Sequence, residues 1–153
     1  MRGDVSVRKL RIYLDICCYN RPFDDQSQMK IRLETEAKLY IQANIRTKKY
    51  VMIWSYMHDF ENDDNPYEEK KNAVALWKEI AEGYCASSDN ILSSGIKNME
   101  YGIKAKDALH VACAIESGCE YFITTDNKLI NKNIKDIKIM NPIDFIRETE
   151  ELK

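Results

Sequence analysis

Residues 104–126 constrain the fold more than any other stretch of the chain. Asp107 stands where a helix begins, and Ala108, Leu109, Val111, Ala112 and Ile115 follow at helical spacing, which predicts one apolar face. Gly118 falls just past the last periodic residue, where a helix stops. Tyr121, Phe122, Ile123 and Thr124 then form a short β-prone run that closes on Asp126. One carboxylate therefore opens a helix and another ends a strand. Each has an ordinary role, Asp107 as a helix cap and Asp126 as a turn residue. Together they gain meaning only if other acids reach the same edge. In an open parallel sheet, ligands bind beyond the carboxyl ends of the strands, where strand order reverses.

The rest of the chain supplies such acids. Arg11 to Leu14 read as a first short apolar strand closed by Asp15, a charge that needs a partner or a metal if the strand is buried. A turn is expected over residues 16–23, because Pro22 disfavours helix at Arg21. Residues 28–46 predict a long helix with Leu33, Ala37, Tyr40, Ile41 and Ile45 inward, and with Glu34 and Glu36 on a solvated face. Val51 to Trp54 form a second strand. Ser55 then caps a short helical segment, Tyr56 to Asn62, that carries Glu61 near its far end. Spacing alone does not choose Glu61 over Asp59, Asp63, Asp64, Glu34 or Glu36. Asn65-Pro66 opens a helix whose inward stripe is Ala73, Val74, Trp77, Ile80, Ala81 and Tyr84. A third strand is expected at residues 84–86. Ser87 or Ser88 then caps a helix running to about Tyr101, with Leu92, Ile96 and Met99 inward. Lys138 to Met140 give a last strand, and Pro142 starts a terminal helix. Strands alternate with helices, which predicts a three-layer α/β/α domain around a parallel sheet of about five strands. With 153 residues, the chain suits one such domain over 1–153, with 1–9 as a loose lead-in.

Composition removes several function classes. The net charge is −2, so a nucleic-acid surface would have to be local. No run is long and apolar enough for a membrane span, and the first residues carry no apolar signal core. Five cysteines, an odd number, without an export signal suggest free thiols in a reducing cytoplasm. Cys17 and Cys18 are expected to pack as small apolar groups. With two histidines and no C-x-x-C pair, a structural zinc site has no ligands at the usual spacing. His110 is expected as a packed helix histidine. The phosphate-cradling G-x-G-x-x-G and G-x-x-x-x-G-K-[ST] loops are absent, as is the G-x-S-x-G elbow. Several carboxylates at one edge repel one another until a cation joins them. Oxygen donors favour Mg²⁺ or Mn²⁺, and the matching chemistry is metal-assisted phosphodiester hydrolysis.

The ordered set of motifs resembles a PIN domain. It comprises Leu14-Asp15 with Tyr19 to Asp25, Ser55 through Glu61-Asn62 with Asn65-Pro66, Lys106 to Ala112, and Thr124-Thr125-Asp126. The resemblance covers residues 10–147, nearly the whole chain. It implies an α/β/α nuclease of single-stranded RNA that uses Mg²⁺ or Mn²⁺ held by acids. Asp15, Glu61, Asp107 and Asp126 match the family's four acids; Glu61 does so because it trails Ser55 as the family glutamate trails its serine. Many bacterial and archaeal PIN domains are VapC-type toxins paired with an antitoxin, and PIN domains often form homodimers. Arg21, Lys104 and Lys106 flank the acids as candidates to hold phosphate oxygens. The long helix over 28–46 is an insertion relative to compact toxins. The Asn-Arg-Pro-Phe turn is unlike most of them and suggests a separate subfamily. The alternative from another class is a catalytically inactive PIN-like module that binds nucleic acid or protein.

Overall fold

The computed structural model describes residues 9–20 and 24–151. The expected lead-in, apart from Lys9, and the turn at Arg21-Pro22-Phe23 lie outside them. Strands β1 (Leu10–Leu14), β2 (Tyr50–Ser55), β3 (Gly83–Cys85), β4 (Tyr121–Ile123) and β5 (Lys138–Met140) form one sheet in the order β3-β2-β1-β4-β5. Every pairing is parallel, with Ile12 opposite Met52 on one side and Tyr121 on the other. The helices are α1 (Ile16–Asn20), α2 (Met29–Arg46), α3 (Tyr56–Asp63), α4 (Glu68–Ile80), α5 (Asp89–Asn98), α6 (Ala105–Glu116), α7 (Asn127–Ile130) and α8 (Pro142–Glu151).

Both sheet faces are covered, so the central strands carry unbroken apolar runs, Ile12 to Leu14, Tyr50 to Trp54 and Tyr121 to Ile123, rather than alternating ones. On β1, Ile12 and Leu14 face one layer with Ile41 and Ile45 of α2 and Phe145 of α8. Tyr13, between them, faces the opposite layer with Val111 and Ala112 of α6 and Ile91 of α5. This alternation decides where the site lies. Residues 13 and 15 share a face, as do 53 and 55 on β2 and 122 and 124 on β4. The polar groups that continue Tyr13, Ile53 and Phe122 are therefore aimed toward α6.

Three local differences from expectation have physical causes. Residues 16–20 are a short helix rather than a turn; its first turn is closed by the Cys18 amide donating to the Asp15 carbonyl at 2.9 Å. Helix α4 begins at Glu68, after an Asx turn in which Asn65 accepts the Tyr67 amide, so Pro66 lies outside the helix; of the expected inward stripe only Val74 is fully buried. The inward face of α5 is Ile91 and Gly95, while Leu92, Ile96 and Met99 are exposed. A Cβ on Gly95 would sit 2.7 Å from Leu109 Cδ2, so the glycine is what lets α6 lie close. Gly118, at φ +74°, ends α6 in the left-handed conformation that glycine adopts without strain.

Candidate active site

Strand order reverses at β1: the chain runs from it through β2 to β3 on one side, and β4 and β5 lie on the other. The carboxyl ends of β1 and β4 thus flank a switch point. Asp15 follows β1 directly and is 7% exposed. Its Oδ1 accepts the Ile16 amide at 2.8 Å and its Oδ2 accepts the Thr124 hydroxyl at 2.8 Å. The Thr124 oxygen also accepts the Asp126 amide at 3.1 Å, so one threonine ties the acids that end β1 and β4. Burial raises the pKa of Asp15, and the charge of Glu61 adds to the rise; His110 and the Thr124 hydrogen bond oppose it.

Glu61 comes from α3, whose start is fixed by reciprocal bonds. The Ser55 hydroxyl accepts the His58 amide, and the His58 ring accepts the Ser55 amide at 3.0 Å. Glu61 Oε1 lies 2.5 Å from His110 Nε2 on α6. The competing acids go elsewhere. Asp59 accepts from Trp54, Lys78 and Tyr84. Asp63, Asp64 and Glu36 are exposed. Glu34 differs from the expected solvated residue: it is fully buried on α2 and accepts the Asn141 amide group at 2.7 Å, in the opposite helical layer.

Asp107 is the third residue of α6 and half-buried. Burial raises its pKa, followed by the charges of Asp15 and Asp126, with a smaller push from Glu61. Asp126 caps α7, with Oδ1 accepting the Lys128 amide at 3.0 Å. The charges of Asp15, Glu61 and Asp126 thus all reach Asp107, and that of Glu61 reaches Asp15, while of these four acids only Asp15 and Glu61 belong to the group with metal-ligand spacing. Asp107 and Asp126 line a groove of about 600 Å³ with Lys104, Lys128 and Lys132. Lys106 is exposed beside the Phe60 ring, 5.7 Å from its centroid, and does not line that groove. Arg21 lies outside the described residues.

Sequence reasoning missed the polar groups behind the acids. Tyr13, Ser55, Thr124 and His110 are all buried and hydrogen-bonded into the site. His110 is packed, as expected, but its two ring nitrogens reach Tyr13 and Glu61. The signal available in the sequence was weak: His110 stands one turn after Asp107, and Thr124 stands two residues before Asp126.

Donor atoms of Asp15, Glu61 and His110 lie within 4.8 Å of one another, a spacing that suits a metal ion. Burial, with repulsion from neighbouring acids added to it, raises the pKa of Asp15 and Asp107, and a divalent cation offsets that deficit. Carboxylate donors fit a hard ion such as Mg²⁺ or Mn²⁺.

The all-parallel five-stranded α/β/α arrangement defines a fold class, and solved structures share that fold with this chain. One is a chain of VapBC2 from Rickettsia felis, solved bound to a DNA fragment from its promoter: TM-score 0.58, 15% identity, 86% of this chain and 98% of that one. Another is a chain of FitAB bound to an IR36 DNA fragment: TM-score 0.59, 15% identity, 86% and 94% coverage. The fold is that of a PIN domain. No family model matches the sequence, and no curated protein does.

Proposed function

We propose that this chain is a Mg²⁺- or Mn²⁺-dependent endoribonuclease that hydrolyses phosphodiesters of single-stranded RNA. What supports the reading is that the charges of Asp15, Glu61 and Asp126, far apart in sequence, all reach Asp107 in a domain with the PIN fold. These four side chains would hold the cation. A bound divalent ion supplies a more acidic water and charge stabilisation at a phosphate. Thr124 and the Ile16 amide fix both oxygens of Asp15, so the carboxylate is oriented before any ligand arrives. Lys104, Lys128 and Lys132 along the groove give a local cationic wall for phosphate oxygens despite the net charge of −2.

The deciding experiment is cleavage of a mixed single-stranded RNA in Mn²⁺. Asp107→Asn is expected to lower the rate by about a hundredfold or more, the scale of losing one electrostatic stabiliser of a transition state. Undiminished cleavage by that variant would refute the assignment. If calorimetry shows no Mn²⁺ binding at millimolar concentration, the inactive binding module becomes the better reading.

The VapBC2 likeness supports a further part of the proposal: the chain is the toxin of a toxin–antitoxin pair, with an antitoxin protein as partner. A cytoplasmic location and a second copy of the chain as a further partner complete the proposal. Induced expression is then expected to arrest growth, and a small adjacent reading frame to relieve the arrest. No helix among the described residues is long and apolar enough to cross a membrane.

A further inference from the structure

We infer that His110 is a positioning residue for the acidic site: its Nε2–H grips one oxygen of Glu61, and a buried chain through Tyr13 and Ser55 to His58 decides that this nitrogen carries the proton. The inference rests on Glu61 being one of the acids proposed above.

The chain of contacts is continuous. His110 Nε2 lies 2.5 Å from Glu61 Oε1, and Nδ1 lies 2.5 Å from the Tyr13 hydroxyl. The Tyr13 hydroxyl lies 2.7 Å from Ser55 Oγ, which is 3.2 Å from His58 Nδ1. Tyr13, Ser55, His58 and His110 are all at most 1% exposed, so these bonds are to one another and not to bulk water.

The far end fixes the proton order. The Ser55 amide donates to His58 Nδ1 at 3.0 Å, so that nitrogen is bare and the ring's proton sits on Nε2, facing the Leu14 carbonyl at 2.6 Å. Burial keeps the Tyr13 hydroxyl protonated. Two orders remain. In the first, Ser55 donates to Tyr13 and Tyr13 donates to His110 Nδ1; the neutral His110 ring then carries its proton on Nε2. In the second, His110 Nδ1–H donates to Tyr13, Tyr13 to Ser55, and Ser55 to His58 Nδ1. With a neutral ring, a bare Nε2 would then set its lone pair against the Glu61 carboxylate at 2.5 Å, so this order does not fit the contact. The first order does, and it puts the proton on Nε2.

This has a consequence for metal choice. By spacing, His110 qualifies as a third ligand beside Asp15 and Glu61. A protonated Nε2 has no lone pair to give. The cation therefore meets oxygens only, and Glu61 keeps one oxygen for it while the other is held by the ring. Ligands oriented from behind in this way lose about tenfold to a hundredfold in metal affinity when the supporting group is removed.

The test compares His110→Gln, whose amide can still donate to Glu61, with His110→Phe, which cannot. Mn²⁺ and Co²⁺ are titrated by calorimetry, with circular dichroism to verify folding. His110→Phe is expected to weaken Mn²⁺ binding by about tenfold or more, His110→Gln to recover most of it, and the Mn²⁺-to-Co²⁺ preference to stay constant. Unchanged Mn²⁺ affinity in folded His110→Phe overturns the inference. So does a selective loss of Co²⁺ binding in both variants, which would mark His110 as a nitrogen ligand. A second readout does not depend on metal. Nitrogen NMR of the wild type at neutral pH is expected to find His110 Nε2 protonated, and a bare Nε2 refutes the inference even if the chain binds no cation. In Tyr13→Phe, whose fold loses only a hydroxyl, the two His110 nitrogen signals are expected to move toward each other as tautomers mix. Signals unchanged from wild type would mean that the Tyr13 chain does not set the proton. Absent metal binding in the wild type, with Nε2 protonated, would instead count against the nuclease proposal alone.

Discussion

His58 links the buried polar chain to stability. Burial pushes its pKa down to about 3, with a further push from His110 that the Leu14 carbonyl opposes. In the unfolded chain the ring titrates near about 6.5. Between those values the unfolded chain binds a proton that the folded chain refuses, so stability rises with pH across the window. The contribution of a neutral buried His58 is complete above the unfolded pKa and is lost progressively as pH falls toward the folded one. Asp15 and Asp107 act with the opposite sign. Their folded pKa values are raised, first by burial and then by neighbouring acids, so the charged forms cost stability at neutral pH and the cost fades on acidification. The His58 effect must therefore be read as a difference. Unfolding free energy measured from pH 7 to 4 is expected to fall more steeply in wild type than in His58→Gln, which replaces the ring by a group that does not titrate. Parallel curves would show that His58 does not carry this linkage.

Helix α2 shows how far an apolar stripe can mislead. Ala37, Ile41 and Ile45 are buried as their spacing predicts, but Leu33 and Tyr40 are exposed, and Glu34, Lys38 and Gln42 fill the inner row. Lys38 is 3% exposed, with Nζ 5.7 Å from the Tyr19 ring centroid and 5.4 Å from that of Trp77. No carboxylate pairs with it among the described residues, and burial lowers its pKa to about 8. A buried cation without a counter-charge is costly, and an apolar side chain of similar length removes the cost. Lys38→Met is therefore expected to stabilise the fold by about 1–3 kcal/mol at pH 7. The gain should shrink as pH rises past 8 toward the ordinary lysine value, because the folded lysine is then neutral. Thermal melts of the two proteins at pH 7 and pH 10 check both statements, and a less stable variant at pH 7 would sink the argument. The strands, the Ser55 cap and the start of α6 were legible because each has a local cause: an apolar run, a hydroxyl before a helix, an acid in a first turn. The phase of α5 was not, because its buried face is Ile91 plus Gly95, and a glycine chosen for the approach of Leu109 has no hydropathy to read. In the site, Asp15 and Asp126 could be read as charges that end strands. The Tyr13–His110 and Thr124–Asp15 bonds join residues 97 and 109 positions apart, and no spacing rule encodes such a pair.

The fold sets Asp126, Asp15 and Glu61 around Asp107, and that arrangement makes a prediction about the folded domain as one cooperative unit. Asp126 adds to the charge that raises the pKa of Asp107, and it also caps α7. Asp126→Asn separates those roles, since an asparagine oxygen still accepts the Lys128 amide while the charge is gone. In chelator, the variant is expected to melt at the wild-type temperature or above it, because one repelling carboxylate has been removed and the cap retained. In Mn²⁺ the order should reverse. A ligand that binds only the folded state, at a hundredfold excess over its dissociation constant, adds about 2.7 kcal/mol. For a domain of this size that corresponds to a rise of about 5–10 °C, and the variant, lacking one donor, should gain much less. Melting curves of both proteins with chelator and with Mn²⁺ test the whole arrangement. A large drop for Asp126→Asn in chelator would make the residue a structural cap rather than part of a cation site. Equal gains for both proteins in Mn²⁺ would mean that the ion binds away from β4, and an absent gain in wild type would mean that the switch-point acids do not hold a cation.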